Sequence, residues 1–270
     1  YISGFIMGNL MMCDLLLGAM IPLSINTITS DGEWKFGDIG CTISGFAITA
    51  ANCAANWALC LVSVERYLAI LYPFNHSVYV QYVKYISIVL WFFVLAHNSV
   101  MLHYDDAFIL IEDMYMCGPN LRSYPLYIVL LNLFDLVLPN IIIVYTYIKI
   151  HKEVQRHNRE IAVNTLRSTS TKGDDLDMNS STEWKAALVI IAIVGVFNVC
   201  WIPFGVGMLA YALHAPLPHG LAASLFWVAL TQAGVNPLVY TILNRTYRKE
   251  IMRMLKCQLP IQRELSAVSL

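Results

Sequence analysis

Along the chain, long apolar runs alternate with short charged stretches. Residues 39–64 and 85–104 contain no Asp, Glu, Lys or Arg, and residues 123–148 contain only Asp135. Residues 1–30 carry one charge, Asp14, and residues 186–244 carry none over 59 positions. About 20 apolar residues cross a bilayer as a helix, so the last run holds two spans and a turn. The turn falls at His214-Ala215-Pro216-Leu217-Pro218-His219-Gly220, because closely spaced prolines and a glycine interrupt helix. The pattern predicts six spanning helices, at about 3–26, 40–66, 82–103, 124–149, 184–212 and 220–243. No internal repeat is evident. The Ser/Thr/Asp-rich stretch 168–182 lacks aromatic residues and is expected to be disordered.

The polar stretches differ in sign. Loops 27–38 and 104–123 together hold seven acids and two bases. The other 15 of the 17 bases lie in 66–84, 149–185 and 245–263. An excess of Lys and Arg marks the cytoplasmic side, so the acidic loops face outward and the C-terminus lies in the cytoplasm. Six spans put both termini inside. Yet the chain opens at Tyr1-Ile2-Ser3-Gly4-Phe5, at the edge of an apolar run, without a signal peptide or initiator Met. A preceding segment is therefore expected.

Composition narrows the function classes. Only 13% of the 270 residues are charged, where soluble domains have about 25%. A formal net charge of −1 removes the electrostatic case for a nucleic-acid partner. No nucleophile–base constellation, phosphate-binding glycine loop or metal-spaced His/Cys cluster appears, so neither an enzyme nor a metal site is expected. Cys41 and Cys117 are the two cysteines on the outer, oxidising side, and they invite a disulfide. Cys13, Cys53, Cys60 and Cys200 lie within spans.

Several residues inside or beside the spans carry chemistry. Asp14 interrupts the first apolar run, and a carboxylate at that depth is a functional candidate by default. Cys41 and Arg66 are 25 residues apart, roughly 37 Å of helix, so the second span runs from the outer surface to Glu65-Arg66-Tyr67 at the inner one. The fifth span contains Phe197 and Cys200-Trp201-Ile202-Pro203, and the sixth Asn236-Pro237-Leu238-Val239-Tyr240. A proline within a helix removes a backbone hydrogen bond and kinks it.

These motifs, in this order, make the chain resemble a rhodopsin-like (class A) G-protein-coupled receptor. The resemblance also rests on Leu10-Met11-Met12-Cys13-Asp14, Trp34-Lys35-Phe36-Gly37, Trp91, Pro139 with Tyr147, and Asn244-Arg245-Thr246-Tyr247. It covers about residues 1–257, with a cytoplasmic tail at 258–270. It implies an all-α seven-transmembrane bundle in the plasma membrane, with six spans present in this chain and the family's first helix absent. It further implies a membrane-surface amphipathic helix at 246–257, where Tyr247, Ile251, Met254 and Leu255 form the apolar face. Cys257 at its end is a candidate for lipidation.

Roles follow by resemblance. Arg66 is held by Glu65 and by Glu183 at rest, with Tyr67 beside them, and is freed when a heterotrimeric G protein docks. Phe74, after Pro73, packs on that G protein. Phe197, Trp201, Pro203, Asn236, Pro237, Tyr240, Tyr147 and Pro139 form the activation switch. Asp14 and Asn236 belong to a sodium and water site, although Ala55 stands where a serine often supplies a ligand. No other cofactor is implied. Hydroxyls in 168–182 are targets for receptor kinases and arrestin.

An unknown extracellular ligand is implied, in a pocket drawn from Ile48, Asn52, Asn132, Asp135, Phe204, Met208, Tyr211 and Phe226. Ile48 stands where amine receptors keep an aspartate, and Leu230 where opsins keep the retinal lysine. Neither usual chemistry is therefore expected. Asp135 has two readings: a partner for a cationic ligand, or part of an internal network with Asn52, Asn56 or His97, the network being preferred. Two other functions compete with the receptor. A transporter would show inverted repeats, and a truncated receptor or decoy would not signal.

Overall fold

The computed structural model describes residues 2–72, 74, 76–167, 174–213, 215, 218 and 220–243. Side chains are described for fewer of them; those of 161–191, 236, 237 and 239–243 fall outside the described set. The backbone forms α1 (Ile2–Thr29), α2 (Gly37–Leu71), α3 (His76–Ser99), a hairpin of β1 (Phe108–Ile111) and β2 (Met116–Pro119), α4 (Pro125–Asn132), α5 (Leu138–Arg167), α6 (Asp174–Ala212) and α7 (Leu221–Leu243). Five described helices are long and apolar enough to cross a membrane: Phe5–Thr29, Gly37–Leu71, Gln81–His103, Pro125–Arg156 and Ala192–Ala212. The described part of α7 adds the shorter apolar segment Leu221–Val235.

Helix α2 is the hub. It packs on α1, α3, α5, α6 and both strands. Ala50, Ala51, Ala54, Ala55 and Ala58 are all buried, and small side chains let neighbouring helices come close where no aqueous hydrophobic force drives them together. Asp38 lies in its first turn, where the helix dipole favours an acid. Trp34 Nε1 donates to the carbonyl of Gly37 at 2.9 Å, which holds the outer end in place.

The fourth span is not a regular helix. A single π turn, Leu133–Val137, joins α4 to α5. Pro139 explains it. Proline has no N–H to donate to the carbonyl four residues earlier, and its ring crowds that carbonyl. The residue is Asp135. The backbone widens, and the N–H of Leu138 reaches back to the carbonyl of Leu133. Asn56 Nδ2, from α2, donates to the freed carbonyl of Asp135.

Three features depart from the expectations above. First, loop 104–123 holds the hairpin, with Leu110 opposite Cys117 and Tyr115 in the left-handed region at φ 56°. Strand pairing satisfies backbone groups that roof the bundle. Second, residues 174–182 are helical rather than disordered, forming the first turns of α6. A membrane helix propagates outward at little cost once nucleated, and Asp174, Asp175 and Asp177 suit a helix start. Third, α2 reaches Leu71 and α3 begins at His76, so the inner connection is shorter than the 67–81 left between the predicted spans. The surface helix 246–257, Cys257 and the tail lie outside the described residues.

Candidate functional site

At the outer end, Cys41 of α2 and Cys117 of β2 form the expected disulfide, with Cα atoms 5.2 Å apart. One turn below Cys41, Gly45 meets the hairpin so closely that a Cβ there would lie 2.7 Å from Phe108 Cδ1 and 3.3 Å from the backbone of Cys117. The glycine and the disulfide together seat the hairpin on α2.

Beneath the hairpin lies a cavity of about 120 Å³. Ile48, Asn52, Asn132, Asp135, Phe204, Met208 and Phe226 all line it. Tyr211 does not. It lines a separate outer pocket, where the Arg122 guanidinium lies 4.2 Å from its ring centre. A stacked guanidinium turns Tyr211 toward the rim. The hairpin contributes Met114, which no hydropathy reading could place inside the bundle.

Asp135 is the centre of a network. Its Oδ1 accepts from Trp57 Nε1 at 3.0 Å. His97 Nε2 lies 3.3 Å from Oδ2, but out of line for a hydrogen bond, and Oδ2 has no hydrogen-bond partner among the described residues. Asn98 Nδ2 lies 3.4 Å from His97 Nδ1. The His97 ring stacks on Phe93 at 5.6 Å and on Tyr127 at 6.2 Å. Asn52, the remaining expected partner, makes no such contact; its Oδ1 is unpartnered among the described residues. Trp57 was missed as a partner. Its signal was its place one turn below Cys53 on the same face of α2.

A second network lies deeper. Trp201 Nε1 donates to Gln232 Oε1 at 3.1 Å, and Gln232 Nε2 donates to Asp14 Oδ1 at 3.3 Å. Gln232 has no exposed surface. The chain of contacts joins α6, α7 and α1. Phe197 is buried one turn from Trp201, their ring centres 6.1 Å apart. The sequence reading omitted Gln232, although a glutamine four residues before Asn236 in a charge-free run was its signal. Ala55, which stands where a serine often supplies a sodium ligand, is a buried methyl with no oxygen to offer. Asn236, Pro237 and Tyr240 lie in α7, but their side chains are outside the described set.

At the inner end, Arg66 Nε lies 2.8 Å from Glu65 Oε2, and its Nη2 donates to Glu65 Oε1 at 3.4 Å. Glu65 is only 2% exposed. Breaking a buried ion pair by removing one partner costs about 3–5 kcal/mol, because a charge is stranded. Tyr67 packs edge-on against Tyr72 at 6.3 Å. The Tyr147 hydroxyl is buried and unpartnered among the described residues. Phe74 is 99% exposed. Glu183 lies in α6, its side chain outside the described set. Pro203 is inside α6 as expected.

Comparison with known proteins agrees with this geometry. The family model for "7 transmembrane receptor (rhodopsin family)" matches residues 2–240. The B2 bradykinin receptor of Mus musculus is 28% identical over 93% of this chain and 66% of its own length. The tachykinin-like peptides receptor 86C of Drosophila melanogaster is 25% identical over 95% of this chain and 52% of its own. The chain thus spans roughly half to two thirds of these curated relatives. The crystal structure of squid rhodopsin superposes with a TM-score of 0.82 at 20% identity, over 96% of this chain and 77% of that one.

Proposed function

The chain belongs to the rhodopsin family of seven-transmembrane receptors, and on that premise we propose that it carries an extracellular ligand signal to a heterotrimeric G protein. It is a multi-pass membrane protein of a receptor family rather than an enzyme family. The observation that carries the reading is the ion pair between the buried Glu65 and the half-buried Arg66 at the inner end of α2, the same helix whose outer half lines the cavity.

The mechanism proposed is a competition for Arg66. At rest Glu65 holds the guanidinium, and Glu183 of α6 reinforces the latch. A ligand in the cavity leans on Trp201 and Phe204, which flank Pro203 in α6. Motion of α6 about that kink is passed to α1 and α7 through Trp201, Gln232 and Asp14. Arg66 is released to the G protein, with Phe74 as an apolar contact. On the same reading the protein sits in the plasma membrane with its C-terminus in the cytoplasm. Cys257 carries lipid, and kinases and arrestin act on the inner hydroxyls. A sodium ion would be held by Asp14 and Asn236, with nothing from Ala55.

The test is guanine-nucleotide exchange on G proteins in membranes carrying the chain. Arg66→Ala should bring exchange to background at equal surface expression. Exchange unchanged by that substitution would overturn the reading.

A further inference from the structure

The cavity floor has more acceptors than the protein satisfies. Asn52 Oδ1, Asn56 Oδ1 and Asp135 Oδ2 all lack a hydrogen-bond partner among the described residues, and all three residues line the one cavity. Asn56 is 2% exposed and Asp135 4%. A buried acceptor left unmade is destabilising, and native proteins keep few of them. The hydrogen bonds of the network use the other atoms: Asn56 donates through Nδ2, and Asp135 accepts through its backbone oxygen and Oδ1. What remains is three oxygens, one of them on a carboxylate. Above them the lining is apolar: Ile48, Met114, Phe204, Met208 and Phe226.

Resting on the receptor reading, we propose that this floor binds a guanidinium head group on an apolar stem. A guanidinium is planar, permanently charged and carries five N–H donors. Asp135 Oδ2 supplies the counter-charge, and the amide oxygens of Asn52 and Asn56 take further N–H groups. The stem lies against the apolar wall. The acidic residues Glu112 and Asp113, between the strands above, favour entry of a cation.

The probe is phenylbutylguanidine, with phenylbutylurea as its neutral isostere, titrated by calorimetry onto the full chain in lipid nanodiscs. No G protein is present, so this result is independent of the signalling reading. The guanidine should bind roughly tenfold or more tightly than the urea. Asp135→Asn should erase that preference. Asn52→Leu, at a half-buried side chain whose oxygen bonds to nothing described, should weaken the guanidine by several fold while leaving the fold intact. Equal binding of guanidine and urea, or no guanidine binding to the folded chain, overturns the proposal. So does full affinity in folded Asn52→Leu. Binding with the expected preference but no effect on nucleotide exchange would leave the site standing and count against transduction.

Discussion

Asp14 and Asp135 are both buried carboxylates beside proline-containing helices, yet they are solvated in opposite ways. Asp14 accepts from Gln232, which is itself held by Trp201, in a packed interior. Asp135 faces a cavity, with one oxygen satisfied by Trp57 and the other by no described hydrogen bond. A carboxylate inside a closed chain of hydrogen bonds can relay a displacement between helices, because its partners move with it. A carboxylate beside spare acceptors and empty space is poised to take in a donor from outside. On the receptor function proposed above, the difference separates transmission from recognition within one bundle.

The largest expected effect tests whether the outer region depends on its roof. Cys41→Ser opens a disulfide that links residues 76 apart in sequence, and loop entropy alone puts the loss at about 4–5 kcal/mol. Surface expression and thermal stability should fall sharply. If Cys41→Ser leaves both unchanged, the hairpin does not hold the cavity shut and the contrast with the packed Asp14 region weakens.

A middle-sized effect compares the two networks directly. Asn56→Leu strands the Asp135 carbonyl freed by Pro139, at a cost of about 1–3 kcal/mol. Gln232→Leu breaks the relay, with a similar loss of thermal stability, but should also uncouple nucleotide exchange while leaving binding in the cavity intact. Should Gln232→Leu weaken cavity binding as much as it weakens exchange, the two carboxylates belong to one site.

The smallest effect is at Trp57→Phe. It removes one donor from Asp135 Oδ1 and keeps most of the ring packing, so about 1 kcal/mol of stability should go. Thermal unfolding in nanodiscs reads it. A loss as large as that of Asn56→Leu would make Trp57, rather than the Asn56–carbonyl bond, the main support of the π turn.

Much of this protein was legible along the chain. Charge-free runs give spans because a bilayer asks only for length and apolarity, both local quantities. The prolines at 139 and 203 announce distortion because the missing N–H is a property of the residue itself. The outer cysteines pair as their side of the membrane suggests. The tertiary structure alone decided who meets whom. Asn56 and Asp135 are 79 positions apart, and Gln232 and Asp14 are 218 apart. Hydropathy carries no information on how each helix is rotated, and rotation decides which polar group faces which. The strand pairing in loop 104–123 also needed α2, since its short strands have no stable form until the disulfide and Gly45 seat them. Sequence set the spans and where they bend, and packing set which oxygens were left facing the cavity.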